Sequence, residues 1–167
     1  MHSWSLPSNN GWNIATWSVR DILRVDDEPY LLVEVRLTGR FWKRAREVQS
    51  SFAGLNMTKE YSVILPQVLL SEERLKKLCH QLSKWLRTPI NELAARPLRV
   101  KARLGVAHSH AFTIKFGSRR DRIIGPGQTA CAISYEVNAL AGECVYLVDP
   151  SCIQQFVDEL SRYFSEP

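Results

Sequence analysis

No Cys-x-x-Cys pair occurs in this chain of 167 residues; Cys79, Cys131, Cys144 and Cys152 stand singly. A zinc ribbon or a thioredoxin-type redox centre needs such a pair. Met1 to Pro7 lacks the basic stretch and apolar run of a secretory signal, so the expected compartment is the cytoplasm, with thiols reduced. No apolar run approaches the roughly 20 residues that span a bilayer. The Gly-x-Ser-x-Gly elbow and the Gly-x-x-x-x-Gly-Lys phosphate loop are both absent. Gly125-Pro126-Gly127-Gln128-Thr129 has neither the lysine nor the helix of a phosphate cradle, and reads as a type II turn. His108 and His110 would share one face of a strand, but no neighbouring side chain completes a metal site. Asp26, Asp27 and Glu28 are consecutive and point in different directions, as in a solvated turn rather than a catalytic carboxylate pair. The expectation is a protein that is not an enzyme and holds no metal or cofactor.

What is present is ample material for a core. Apolar residues make up 45% of the chain and charged residues 23%, with five Trp, five Tyr and six Phe. The length fits a single domain over 1–167. Its net charge of +5 is compatible with an anionic partner, yet well below that of a dedicated nucleic-acid binder.

The chain ends its two halves alike. Leu75-Lys76-Lys77-Leu78-Cys79-His80-Gln81-Leu82-Ser83-Lys84-Trp85-Leu86 matches Ile153-Gln154-Gln155-Phe156-Val157-Asp158-Glu159-Leu160-Ser161-Arg162-Tyr163-Phe164 in the offsets of its apolar residues. Both carry the i, i+3, i+4, i+7 spacing of a helix that buries one stripe. Ser71 and Asp149 are the expected N-caps, and Pro150 stands at the favourable first helical position. Thr88-Pro89 stops the first helix near Arg87, because a residue before proline avoids helical backbone. Cys152 lies in the second helix's first turn, where a thiol's pKa can be lowered, but no base accompanies it. Cys79 sits on the first helix's buried stripe and reads as inert.

Strand-like sequence precedes each helix. Ile14–Val25 alternates, and Tyr30–Thr38 does so most clearly, with Leu31, Val33, Val35 and Leu37 on one side. Gly39-Arg40 reads as a turn into a strand over Phe41–Phe52, and Glu60–Leu65 as a strand that Pro66 ends. Leu98, Val100, Ala102 and Leu104 alternate with Arg99, Lys101 and Arg103; 111–116, 130–137 and 143–148 follow as strands. The reading is an α+β fold: antiparallel sheet with two amphipathic helices, built as two strands-then-helix rounds over 13–87 and 98–164. Residues 1–12 are expected to be a loose arm.

The strongest local signal is an acid-free run of Arg36, Arg40, Phe41, Trp42, Lys43, Arg44 and Arg46. Basic groups among aromatics follow a phosphate backbone and stack on bases. They equally compose a protein-binding hot spot, or a plain strand pair whose basic stems cover Trp42. Arg119, Arg120 and Arg122 form a second, weaker cluster.

An extended Trp-containing N-terminal strand precedes Leu31-Leu32-Val33-Glu34-Val35-Arg36-Leu37. Leu70-Ser71-Glu72-Glu73-Arg74-Leu75 then leads to Leu82-Ser83-Lys84-Trp85-Leu86, and the chain closes on strands and the helix at 153–164. In this order of parts the chain resembles the WapI-type immunity proteins of bacterial toxin–immunity pairs. The resemblance implies a cytoplasmic protein that neutralises a cognate toxin by direct binding, without turnover or a membrane. Relatives of that kind are often acidic, whereas this chain is positive, which points to a toxin with an acidic face. The alternative function is a single-stranded nucleic-acid-binding module using residues 36–46.

Either way the last helix belongs to the core. Its stripe buries several large side chains at about 1.5–3 kcal/mol each, against a total stability of about 5–15 kcal/mol. Truncation before Asp149 should abolish cooperative thermal unfolding; a sharp melt near the parent temperature would refute the two-round architecture.

Overall fold

The computed structural model describes residues 2–9, 11, 13–42, 58–93, 96–106, 110–117 and 128–166. Strands β1 (Ser3–Pro7), β2 (Ile14–Val25), β3 (Glu28–Trp42) and β4 (Thr58–Ser71) precede helix α1 (Glu72–Leu86). A single turn, α2 (Ile90–Leu93), leads to β5 (Val100–Arg103), β6 (His110–Gly117), β7 (Thr129–Val137) and β8 (Leu140–Val148), and then to α3 (Pro150–Ser165). Each set of four strands forms its own antiparallel sheet, in the orders β1-β2-β3-β4 and β5-β6-β7-β8. The fold is α+β, made of two rounds of four strands and a helix.

Local chemistry accounts for most boundaries. Ser71 Oγ accepts from the Arg74 amide at 3.4 Å, and Asp149 Oδ1 from the Cys152 amide at 3.1 Å, so both expected N-caps form. The Ser151 hydroxyl foremost, and then the Cys152 amide, donate to the Asp149 carboxyl and hold it below its usual pKa. Asp26-Asp27 and Asn138-Ala139 all have positive φ, between Val25↔Glu28 and Val137↔Leu140 respectively. These are two-residue hairpin turns of type I′, whose twist matches that of the flanking strands. Leu31, Val33, Val35 and Leu37 are fully buried, as their alternation requires.

Three expectations are corrected. The loose arm expected over 1–12 is overturned at Ser3–Pro7, an edge strand with Trp4 and Leu6 at 1% and 0% exposure. Trp4 packs its ring 5.4 Å from Tyr163 on α3, and the Ser5 amide donates to Glu159 Oε2 at 2.6 Å. Five residues with two apolar side chains are too short a pattern to distinguish from coil without α3 beside them.

Nor does Pro66 end its strand. Val33 pairs with Val68 and Val35 with Leu65, so Pro66 and Gln67 together oppose Glu34 in a β-bulge. The missing proline N–H falls where the ladder is already interrupted, on a strand at the sheet's edge. Finally, Gly39-Arg40 is not a turn, since β3 continues to Trp42 with Gly39 opposite Tyr61. A Cβ at Gly39 would lie 2.7 Å from the Tyr61 hydroxyl and closer still to Asn13 Oδ1. The Asn13 and Tyr61 side-chain ends occupy the space above Gly39 and would have to move to admit a Cβ. Phe41 and Trp42 are thus the end of β3, and the remainder of the expected strand to Phe52 lies outside the described residues.

The rounds interlock. Helices α1 and α3 pack together, with Cys79 Sγ 3.5 Å from Ser161 Oγ, but α3 also covers β1 and α1 covers β5. Each helix therefore closes the opposite round's first strand. Two backbone seams repeat the exchange. Ser71 N donates to Leu104 O at 2.8 Å beside a Leu70↔Gly105 bridge, and Asn9 N donates to Leu147 O at 2.9 Å. At Gly105 a Cβ would come 1.7 Å from the His110 carbonyl oxygen, so only glycine permits that approach. One continuous apolar cluster results, drawing on both sheets and both helices.

Truncating Trp4 to Ala should lower the unfolding free energy by about 3–5 kcal/mol in urea titrations. A loss under about 0.5 kcal/mol, the value for a surface site, would mean that β1 is dispensable.

Candidate functional site

Arg36, the first of the expected basic run, points outward from β3 and is already paired. Glu34 accepts from Arg36 Nε and from Arg20 Nη2, each at 2.6 Å. The bulge between Val19 and Asp21 adds Arg20 to β2 and brings it to that carboxylate. The two guanidiniums, Arg36 first, hold the Glu34 carboxyl below its usual pKa. This acid, two residues before the run, neutralises part of it. Arg40, Phe41 and Trp42 continue β3 as backbone. Lys43, Arg44, Arg46, Arg119, Arg120 and Arg122 lie outside the described residues, as does His108. Among the described residues no three His, Cys, Asp or Glu side chains converge as a metal site, and no helix is long and apolar enough to cross a membrane.

The structure gathers a different set of cations where α1 ends and β5 begins. Thr88-Pro89 breaks the helix and α2 makes one turn. Pro97 then sends the chain into an extended approach, anchored by Leu98 at 3% exposure. The open, shallow cleft has a volume of about 530 Å³ and is lined by Lys84, Trp85, Arg87, Arg96, Arg99 and neighbouring prolines. The Trp85 indole N–H donates to the Arg96 carbonyl at 3.0 Å, fixing the ring across the cleft's two sides. Lys84 and Arg87 sit at the carbonyl end of α1, where the helix dipole favours cations. Arg96 lies 3.8 Å from the Glu92 carboxylate in an exposed pair that stabilises the fold little. Among the described residues, Lys84, Arg87 and Arg99 have no ion-pair partner.

The positive surface continues beyond the cleft. Arg99, just before β5, and Lys101 and Arg103 within it take the alternate, outward positions expected from the sequence, about 6.8 Å apart per step. Arg74 on α1 donates to the Arg103 carbonyl at 3.0 Å, which ties helix and strand together at the far end. The arrangement can grip carboxylates or phosphates through guanidinium forks beside an aromatic face. Sequence reading placed Arg99, Lys101 and Arg103 outward but did not join them to Lys84 and Arg87, which precede the break. The available signal was two prolines, Pro89 and Pro97, bracketing a basic stretch.

Three of the thiols are buried and Cys144 is half-buried. Burial raises the Cys152 pKa, outweighing its place in the first turn of α3. Burial alone drives Cys131 far upward, and burial followed by the Glu143 charge raises Cys144. The pKa of Tyr146, on β8, is raised by burial and by the neighbouring Tyr61 hydroxyl. None of these groups opens onto the cleft.

Comparison of the chain with models of known protein families, with curated proteins and with solved structures finds no match.

Cys144 is half-buried while Cys79, Cys131 and Cys152 are buried. An aromatic disulfide reagent at neutral pH should therefore titrate at most Cys144 in the native protein, slowly, and all four thiols after unfolding. Rapid native labelling that survives Cys144→Ser would contradict the burial of the other three.

Proposed function

We propose that this protein is a non-catalytic binding protein whose partner is another protein with an acidic face, engaged through the cleft between α1 and β5. The observation that carries the reading is the convergence of Lys84, Arg87, Arg96 and Arg99 around the fixed ring of Trp85. Tryptophan and arginine in one partly enclosed site are the residue types that dominate protein interface energetics. Unpaired exposed cations speed encounter with a negative surface and discriminate against positive ones. The resemblance to WapI-type immunity proteins supplies the class of partner: a bacterial toxin, neutralised by occupation and without chemistry. A basic inhibitor suits a toxin whose exposed surface is acidic. The cytoplasm, where a toxin-producing cell needs protection, is the compartment that accompanies this reading.

The test takes as candidate toxin any large secreted protein encoded immediately upstream of this gene, with a fluorescent single-stranded oligonucleotide as the competing ligand; a solitary gene would weaken the proposal. Immunity requires saturable binding to the toxin. The Arg87→Glu, Arg99→Glu double variant should weaken it by at least about 2 kcal/mol, some thirtyfold, as expected for an interface centre. Arg36→Glu, which alters an already neutralised position, should leave it nearly unchanged. Oligonucleotide binding that falls steeply between about 50 and 200 mM salt, with no affinity for the toxin, would overturn the proposal in favour of a nucleic-acid role.

A further inference from the structure

On the outward face of the second sheet lies a hollow separate from the cleft. Its floor is Gly117, Ala130 and Ala132. Ala130 and Ala132 alternate with the core residues Cys131 and Ile133, so they point away from the core, yet they are only 1% and 6% exposed. The larger side chains around them form walls. Lys101 and Lys115 stand directly opposite each other on β5 and β6, both exposed. Among the described residues neither has an ion-pair partner. Directly opposed like charges mildly destabilise a strand pair, and an anion between the two ammonium groups would relieve that repulsion. Thr113 and Ser134 place hydroxyls in the adjoining row. At the far rim Glu143 accepts from Ser134 Oγ at 3.0 Å. The enclosed volume is about 310 Å³, at the small end of ligand sites.

We infer that this hollow binds a small ligand through an oxyanion, carboxylate or phosphate, held between the ammonium groups of Lys101 and Lys115. Six N–H donors from the two lysines and two hydroxyl donors can surround such a group. Lys115 and Glu143 are two strands and one same-face step apart, about 12 Å between Cα atoms. Glu143, engaged by Ser134, closes the far rim. The ligand's anionic end is therefore the one between the lysines. Nothing in this assignment uses Lys84, Arg87 or Trp85, and it stands whether or not the cleft has a protein partner.

The experiment is an amide NMR titration of the full chain with two probes of that polarity, phosphoethanolamine and glycylglycine. At least one should produce saturable shifts at Thr113, Ala132 and Ser134. The Lys101→Gln, Lys115→Gln variant should weaken that binding by about tenfold or more. The Lys84→Gln, Arg87→Gln variant should bind as the parent does. Both pairs are exposed, and retained amide dispersion verifies that the variants fold. The probe that binds more tightly identifies the oxyanion as phosphate or carboxylate. Absence of saturable shifts with either probe up to about 20 mM, or shifts that persist in the double-lysine variant, would overturn the inference.

Discussion

Everything in this fold depends on the exchange of helices between its two rounds. A four-stranded sheet with one apolar face must bury it, and a single helix cannot cover the whole of it. Here α3 closes the edge at β1 while α1 closes the edge at β5, and the helices meet through Cys79 and Ser161. Neither round is complete alone. The backbone seams at Ser71–Leu104 and Asn9–Leu147 bind the same pairs of regions. The arrangement tolerates local costs. The Trp4 and Trp17 indole N–H groups are buried with no acceptor among the described residues. Each such group costs about 1–3 kcal/mol, offset by rings that bury about 150–250 Å² apiece. Trp17 also meets Phe156 edge-on at 5.6 Å, so each round's core carries an aromatic from the other.

Irregularities in the first sheet organise its electrostatics. The bulge at Arg20 and the bulge at Pro66-Gln67 lie on either side of β3, and Glu34 stands between them. One bulge brings a second guanidinium to that carboxylate. The other accommodates a proline within a long edge strand. The charge of Glu34 is thereby shared between two neighbours. Around the start of β5, Lys84, Arg87 and Arg99 meet no acid among the described residues, and the surface there is distinctly basic. That surface combines Lys84 and Arg87 from the end of a helix with Arg96 and Arg99 from an extended segment, joined by the Trp85–Arg96 hydrogen bond. The lysine pair of the second sheet adds a separate centre of uncompensated charge, over a floor shaped by alanine and glycine.

The sequence by itself determined what depends on near neighbours. Alternation placed Leu31, Val33, Val35 and Leu37 inward and Arg99, Lys101 and Arg103 outward, because successive strand residues face opposite ways whatever pairs with them. The stripes of α1 and α3, and their caps at Ser71 and Asp149, follow from spacing within a few turns of helix. Tertiary structure alone decided what depends on partners far along the chain. Ser3–Pro7 becomes a strand because Glu159 and Tyr163, more than 150 residues later, receive it. Pro66 stays within a strand because β3 offers one residue against two. A run of cations reads the same in sequence whether an acid meets it or not. Glu34 neutralises Arg36, whereas Arg87 and Arg99 meet no acid among the described residues, and that difference arises only when the backbone brings distant side chains within a few ångströms of one another.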